Sequence, residues 1–394
     1  MSLSVSKRMA RVKPSPTGAV LALATRLRAE GRDIISLGTG EPDFDTPRHI
    51  RDAGIAAIEA GITRYTPIDG TAELKAAIRR KLARDNSLDY EPEQILVTSG
   101  AKQALYNLCV ALLGPGDQAL IPAPYWVSYP DMVKLADADP VFIETTIDDN
   151  FKVSPEQLEA AITPQTRLLI LNSPGNPTGA CYSAAELQAF GEVLAAHPQI
   201  VVVADEIYET IHWADEPFTS FAEACPALYE RTVTVNGVSK AYAMTGWRIG
   251  YAAGPQELIK PMSTVQSQST SNACSISQAA AVAALNGDQG VVAAMVSEYR
   301  RRHDFVVAAL NEIDGCECRP GEGTFYALPR VTGAIESLGV QDDVALAGHL
   351  LDAGGVAVVP GTAFGAPGYI RLSFACSMSE LKDAISRMKR ALSA

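Results

Sequence analysis

Short apolar runs alternate with longer amphipathic stretches between residues 48 and 286. Each run ends in small or polar residues, and stretches with helical periodicity or clusters of turn residues separate most of them. Because continuous Val, Ile and Leu runs are typical of strands covered on both faces, the pattern predicts an α/β domain with a mostly parallel sheet. The runs read "QILVTSG", "QALIPAP", "RLLILNSP", "IVVVADE", "TVTVNGVS" and "RIGYAAG".

The pattern changes after residue 286. A long charged helix is predicted for "VSEYRRRHDFVVAAL", and it is followed by the strand-like segments "TFYALPR", "GVAVVP" and "YIRLSF" and a closing helix. This order predicts a smaller α+β domain over residues 287–394 and a large domain over residues 48–286. Residues 1–47 are too few for a domain, so we expect an arm that packs on the small domain or reaches a partner.

Composition restricts the classes of function. The net charge of −12 disfavours nucleic acid and anionic membranes as partners, because both require basic patches. No apolar run approaches the roughly 20 residues of a membrane helix, and no secretory signal pattern precedes the large domain. Seven scattered cysteines fit reduced thiols and a cytoplasmic location. Cys316 and Cys318 have no nearby histidine, so no metal site is expected.

Ligands of open α/β sheets collect at the carboxyl ends of strands, where this chain places several unusual residues. The segment "TSGAKQ" predicts a glycine turn before a helix, which suits a phosphate, although such a turn also needs glycine for backbone reasons. Trp126, beside Tyr125 and Tyr129, is either a core residue or a surface on which a planar ligand stacks. Asn176 in "GNPTG" is typical of a turn.

Four charged residues raise the question of their partners. Asp205 ends an apolar strand, so it is either a helix cap or a buried carboxylate that needs a cation. Lys240 follows a β-branched run, although most lysines are simply solvated. Arg248 is predicted to open an apolar strand and Arg371 lies inside another, and each planar guanidinium suits a phosphate or a carboxylate.

One ligand accounts for these residues together. A planar, phosphorylated, electron-accepting cofactor needs a lysine for a Schiff base, a carboxylate for its ring nitrogen and an aromatic side chain for stacking. It also needs an arginine and a glycine turn for its phosphate. We therefore predict pyridoxal 5′-phosphate (PLP), bound covalently by Lys240.

The same motifs, in order, resemble the class I/II aminotransferases over essentially the whole chain. They are S-G-A-x-Q, P-Y-W, N-P-T-G, D-E-I-Y, S-K, G-W-R-I-G and R-L-S. Together with "GEPDFDTP" near the start, they are most similar to the bacterial aspartate aminotransferases of the aspartate/prephenate subgroup. The resemblance implies the type I fold of PLP-dependent transferases, with a mostly parallel seven-stranded sheet flanked by helices and a smaller α+β domain.

The resemblance also implies roles around the cofactor. Lys240 forms the internal Schiff base and then moves the proton between the substrate Cα and the cofactor C4′. Asp205 keeps the ring nitrogen protonated. The other implied contacts are hydrogen bonds to O3′ from Tyr208 and Asn176, stacking by Trp126, and phosphate contacts from Gly100, Ala101, Arg248 and Tyr65 of the neighbouring subunit. The implied active form is therefore a homodimer with shared sites.

Further implied residues concern the substrate. Arg371 binds its α-carboxylate and Gly40 closes over it, with Trp126 and Asn176 alongside. Lys102, which also borders the cofactor, neutralises a distal carboxylate and so favours dicarboxylic amino acids.

Two positions qualify this assignment. Lys13 in "KPSPT" matches a basic residue associated with the use of prephenate. Gly237 stands where many relatives have a serine, so a phosphate contact is missing and cofactor retention is expected to be weaker.

The sequence thus predicts an aspartate:2-oxoglutarate aminotransferase that works by a ping-pong cycle, with amino acids and 2-oxo acids as substrates. One alternative is an aromatic or broad-specificity aminotransferase. A second is a PLP-dependent lyase, because the same residues can serve elimination. A third is a PLP-sensing regulatory domain, which residues 1–47 disfavour because they show no helix-turn-helix pattern.

Overall fold

The computed structural model of the chain describes residues 5–393. The strands are β1 (Ile35–Ser36), β2 (Ile95–Thr98), β3 (Gln118–Pro122), β4 (Asp139–Ile143), β5 (Thr166–Asn172), β6 (Val201–Asp205), β7 (Thr232–Gly237), β8 (Gly250–Ala253), β9 (Tyr326–Ala327), β10 (Val356–Ala357), β11 (Val359–Pro360) and β12 (Ile370–Ser373). The helices are α1 (Pro16–Ala29), α2 (Arg48–Glu59), α3 (Ala72–Asn86), α4 (Ala101–Leu112), α5 (Tyr129–Leu135), α6 (Pro155–Ala161), α7 (Ala184–Ala195), α8 (Phe221–Ala224), α9 (Gln256–Ser269), α10 (Ser275–Asn286), α11 (Gly290–Asn311), α12 (Thr332–Leu338), α13 (Asp343–Gly354) and α14 (Met378–Leu392). Short 3₁₀ turns cover Lys7–Arg11, Pro92–Gln94, Pro226–Arg231, Thr245–Trp247 and Gly361–Phe364.

Seven strands form one central sheet in the order β2-β8-β7-β6-β5-β3-β4. Only β8 runs antiparallel to its neighbours, β2 and β7, while the remaining pairs are parallel. The predicted mostly parallel, seven-stranded sheet is therefore confirmed. The strand that no apolar run indicated is β4, which lies at the sheet edge and contains Pro140, a residue that sheets tolerate mainly at edges.

Both faces of this sheet are covered by helices, which explains the continuous apolar runs. Side chains alternate along β5, so Leu168 and Ile170 join the core under α4, α5 and α9. Leu169 and Leu171 point the other way and join the core under α6, α7 and α8. A strand buried on both faces needs apolar residues at every position, and this requirement explains the continuous apolar run in the sequence of β5.

The C-terminal part of the chain forms a smaller α+β unit around the antiparallel sheet β11-β12-β9. The N-terminal arm contacts this unit, because β1 pairs with β10 and the α1 residues Ala24 and Leu27 pack near Leu351. The first turn of the arm instead lies on the large domain, where Arg8 and Arg11 form ion pairs with aspartates beside α5. These contacts support domain limits near residues 47 and 286, which stay a prediction.

No single helix between residues 5 and 393 is long and apolar enough to cross a membrane. Helices α10 and α11 reach the necessary length and composition only as a pair, across an 82° bend.

Candidate active site

A cavity of about 330 Å³ lies where β5, β6 and β7 end, between the sheet and the small domain. Parallel strands bring their carboxyl ends to one edge, so residues far apart in sequence meet there. Ten of the predicted site residues line it: Gly40, Ala101, Lys102, Trp126, Asn176, Asp205, Tyr208, Lys240, Arg248 and Arg371. Among the other three, Gly100 lies directly against the Arg248 guanidinium, whereas Tyr65 and Lys13 lie outside this cavity.

Lys240 reaches the cavity from the turn that follows β7. Its amine donates a hydrogen bond to the carbonyl of Gly40 and lies 5.9 Å from the ring centre of Tyr208. Burial, and then repulsion by Arg371, lowers the pKa of Lys240 to about 8. A desolvated amine with a lowered pKa is a better nucleophile than an exposed lysine, which fits attack on an aldehyde.

Asp205 ends β6 and is almost fully buried. Its carboxylate accepts hydrogen bonds from the hydroxyl of Tyr129, at 2.7 Å, and more weakly from the Ile207 N–H, at 3.4 Å. Among residues 5–393 it has no ion-pair partner, and burial raises its pKa to about 6. Lys240 is near enough to oppose this rise in the pKa of Asp205, but no cation in the described part of the chain lies within ion-pair distance, and a protonated pyridine nitrogen of a ligand fits the position.

The turn between β2 and α4 forms a cup with the features of a phosphate site. Gly100 has a φ of +86°, and the first N–H groups of α4 have no acceptors within the helix. Gly250 of β8 touches this turn so closely that a Cβ there would collide with the Ala101 backbone. A glycine at position 250 is therefore required for the cup to rest on the sheet.

Arg248 completes this cup, although its position differs from the prediction. It does not open β8 but stands two residues before it, in a left-handed conformation with a φ of +57°. Its guanidinium donates to the carbonyls of Thr245, at 2.8 Å, and Ser99, at 3.3 Å. Arg248 thus has a strained backbone conformation and holds its guanidinium beside the N–H groups at the start of α4. Backbone strain in a non-glycine residue is typical of a functional site.

Gly237 has a packing reason to lack a side chain. A Cβ there would lie 2.9 Å from both the Gly250 Cα and the Ile249 carbonyl. A serine would therefore require β7 and β8 to move apart. The weaker cofactor retention expected from this glycine stays a prediction.

Arg371 lies in β12 with 2% of its surface exposed. It donates to Asn176 Oδ1 at 3.1 Å and to the Gly38 carbonyl at 2.8 Å, while its Nε has no hydrogen-bond partner among the described residues. Burial lowers its pKa from the usual arginine value. A buried guanidinium without a carboxylate is costly, so this position fits the carboxylate of a ligand.

Lys102 and Trp126 form a further part of the wall. The Lys102 amine lies 4.8 Å from the ring centre of Trp126, and burial, with repulsion by Arg248, lowers its pKa. The Trp126 ring packs edge to face on Tyr129, with ring centres 5.4 Å apart. Trp126 and Tyr129 thus border the cavity, whereas the neighbouring Tyr125 stacks on Phe142 outside it.

Several residues that line the cavity have no role predicted from the sequence. Tyr129 bonds Asp205, the Asn172 amide donates to the Asp205 carbonyl at 2.8 Å, and the Tyr326 hydroxyl lies 3.0 Å from that of Tyr208. Asn172 stands at the end of β5, so the strand-end rule could have found it. Tyr129 and Tyr326 look like core residues in sequence.

The charge balance of the cavity indicates an anionic ligand. Its lining contains four cations, Lys102, Lys240, Arg248 and Arg371, against the carboxylates of Glu41 and Asp205. Within the described residues none of these four cations takes part in an ion pair, whereas arginines elsewhere, such as Arg302, are paired. A phosphate and one or two carboxylates would neutralise the excess positive charge.

The chain is similar to known proteins over nearly its whole length. The family model described as "Aminotransferase class I and II" matches residues 32–388. The chain is 53% identical to the aspartate/prephenate aminotransferase of Nitrosomonas europaea, over 99% of this chain and all of that protein. The aspartate aminotransferase structure from Rhizobium meliloti superposes with a TM-score of 0.95 at 47% identity, covering 99% of both chains.

A second structure, the Thermus thermophilus aspartate aminotransferase with maleate, superposes with a TM-score of 0.92 at 43% identity. It covers 99% of this chain and all of the other. These likenesses confirm the predicted fold class, and the cavity residues fit the cofactor that the family uses. The chain belongs to the class I and II aminotransferases, which are PLP-dependent enzymes.

Proposed function

We propose that the protein transfers an amino group from L-aspartate to 2-oxoglutarate, giving oxaloacetate and L-glutamate in two successive half-reactions. Two of the four cavity cations support this substrate class, Arg371 from the small domain and Lys102 from α4, because neither has a carboxylate partner within residues 5–393. One cation suits the α-carboxylate that all amino acids have. The second suits the distal carboxylate of a dicarboxylic substrate.

The bound PLP supplies an aldehyde carbon and an electron-withdrawing ring. Lys240 would hold this cofactor through its amine, and the same amine would serve as the base that takes the proton from the substrate Cα. Asp205 stabilises the positive charge of the ring nitrogen. Because Asn176 Oδ1 accepts from Arg371, its amide nitrogen is left to donate to O3′ beside Tyr208.

Substrate orientation follows from the same residues. The planar guanidinium of Arg371 suits a two-pronged bond to the α-carboxylate, and Gly40 lines the same cavity. Lys102 then meets the distal carboxylate. Fixing both ends of the substrate holds its Cα where Lys240 can reach the proton.

The direct test is a panel of amino donors against 2-oxoglutarate and oxaloacetate. L-aspartate should change the absorbance of the bound cofactor and yield oxaloacetate, faster than alanine or phenylalanine does. No spectral change with aspartate would reject the proposal. Faster release of pyruvate and ammonia from a cysteine conjugate would favour a lyase instead.

The Lys102→Ala variant should lose dicarboxylic substrates selectively. Removing a charged hydrogen bond costs about 1.5–3 kcal/mol, so we expect kcat/KM for aspartate to fall roughly 10- to 100-fold, with little change for alanine. Lys260→Ala, which removes an exposed lysine of α9, is the matched control. An equal loss for aspartate and alanine would show that Lys102 does not select the distal carboxylate.

Prephenate is a second candidate acceptor because of where Lys13 lies. This lysine borders a neighbouring cavity of about 480 Å³ that shares Lys102 and Arg248 with the first. A larger dicarboxylic acceptor could extend toward it. Including prephenate in the acceptor panel tests this possibility directly.

We also propose a homodimer with shared sites, located in the cytoplasm. Ile55 and Ile58 of α2, with Ile62 and Tyr65 after it, are exposed, Tyr65 to 91%. Neighbouring exposed apolar residues mark an interaction surface, and Tyr65 on it could reach the phosphate cup of a second copy. The seven unpaired cysteines suit a reducing compartment.

Mixing two defective variants tests the shared site. Lys240→Ala and Tyr65→Ala homodimers should both be impaired, but a hybrid of the two has one site with both residues intact. We therefore expect activity to reappear after subunit exchange, measured as aspartate-dependent oxaloacetate formation. Mixtures with no more activity than the sum of the two variants would show that Tyr65 does not act across subunits.

A further inference from the structure

Tyr326 contacts three groups that the proposed reaction uses. It opens β9 in the small domain and is 1% exposed. Its hydroxyl lies 3.0 Å from that of Tyr208, and its ring centre lies 4.4 Å from the Arg371 guanidinium carbon. A Cβ added to Gly40 would approach the same hydroxyl to 2.7 Å. Tyr326 is therefore part of the cavity wall where the two domains meet.

The hydroxyls of Tyr208 and Tyr326 form one hydrogen bond with each other, so only one of the two donates its proton to the other. Each tyrosine has a single O–H and can donate only once. When Tyr208 donates to O3′ of the cofactor, its oxygen is left as an acceptor toward Tyr326. Within residues 5–393 the Tyr326 hydroxyl has no other hydrogen-bond partner, so its proton is directed at Tyr208.

We propose that Tyr326 is a positioning residue that directs the Tyr208 proton to O3′. Tyr326 thereby favours loss of the proton from the imine nitrogen of Lys240. The proposal rests on the roles given above to Lys240 and Tyr208. It adds a residue from the small domain to the control of a cofactor that the large domain binds.

The effect follows from hydrogen-bond polarisation. A hydroxyl that accepts a hydrogen bond becomes a stronger donor, so Tyr326 strengthens the bond from Tyr208 to O3′. That bond stabilises negative charge on O3′, the oxygen that shares the imine proton. Stabilising the anionic form favours loss of the imine proton at lower pH. Removing the Tyr326 hydroxyl should therefore raise the pKa of the imine.

The Tyr326→Phe variant separates this role from packing on Arg371, because the ring remains. Titration of the cofactor absorbance in the holoenzyme should show an imine pKa raised by about 0.5 to 1 unit relative to wild type. Tyr208→Phe should raise it by at least as much. The double variant should match Tyr208→Phe alone, because Tyr326 acts only through Tyr208.

Tyr299→Phe is the matched control. Tyr299 of α11 packs on Phe325 in the same aromatic cluster, with ring centres 5.3 Å apart, and its buried hydroxyl has no hydrogen-bond partner within residues 5–393. Its removal should leave the titration unchanged. Tyr326→Leu, which removes the ring from Arg371, should instead raise the KM for aspartate.

Two results would overturn the proposal. One is a Tyr326→Phe holoenzyme whose imine pKa equals that of wild type. The other is a double variant whose imine pKa is higher than that of Tyr208→Phe alone. If the wild-type protein itself shows no titrating cofactor absorbance, the assignment of Lys240 fails and the Tyr326 proposal fails with it. A wild type that titrates normally beside an unchanged Tyr326→Phe removes the Tyr326 proposal alone.

Discussion

Replacement of Lys240 by alanine should lower the rate of the aspartate half-reaction by about 10⁴-fold or more. The amine has two tasks, holding the cofactor and moving the Cα proton, and a positioned acid–base group alone is worth 10²- to about 10⁴-fold. The lowered pKa of about 8 keeps part of the amine unprotonated near neutrality. The measurement is oxaloacetate formation in a single turnover with excess enzyme.

Chemical labelling provides an independent readout for the same residue. Borohydride reduction of the holoenzyme, followed by peptide mass mapping, should place the cofactor on the peptide that contains Lys240. The label should disappear in Lys240→Ala and persist in Lys260→Ala, which changes an exposed lysine. A label on another lysine of the wild-type protein would refute the covalent assignment and leave the other cofactor contacts unsupported.

Asp205→Asn should give the second large effect, on the order of 10²- to 10³-fold in kcat. Asparagine keeps the shape but loses the charge that pairs with the ring nitrogen, and breaking a buried pair costs about 3–5 kcal/mol. Tyr129→Phe removes only a hydrogen bond to Asp205, so its effect should be smaller. Equal rates for Asp205→Asn and wild type would contradict the assigned role.

The pH dependence of PLP binding tests the same carboxylate. Burial raises the pKa of Asp205 to about 6 before a cation binds, so this carboxyl is ionised above that pH and neutral below it. Pairing with the ring nitrogen requires the ionised form. Wild-type affinity for PLP should therefore fall as the pH drops below about 6, and the Asp205→Asn variant should lack this component, as measured by equilibrium titration with the cofactor.

Apolar runs predicted the sheet well because burial on both faces imposes a simple rule. Six of its seven strands correspond to runs visible in the sequence, and the seventh, β4, lies at an edge where that rule does not apply. The prediction also failed locally at Arg248, because a turn in the left-handed conformation leaves no hydrophobic pattern to read.

The candidate site could be predicted where the chemistry of a residue type conflicts with its apolar neighbours. Lys240, Asp205 and Arg371 all interrupt or end apolar runs, so each required a partner. Tyr326 gave no such signal, because a tyrosine in an apolar strand is an ordinary core residue. Its importance depends on Tyr208 and Gly40, which come from distant parts of the chain.

By itself the sequence determined six of the seven strands of the central sheet and the reactive groups at the strand ends, because burial and functional chemistry leave local patterns of residue type. Only the tertiary structure decided which of those groups lack partners. Arg371 bonds Gly38 and Asn176, which lie 333 and 195 positions away in the chain, and yet it has no carboxylate partner among the described residues. Whether a charge is satisfied depends on such long-range contacts, and these form only when the two domains and the arm pack together.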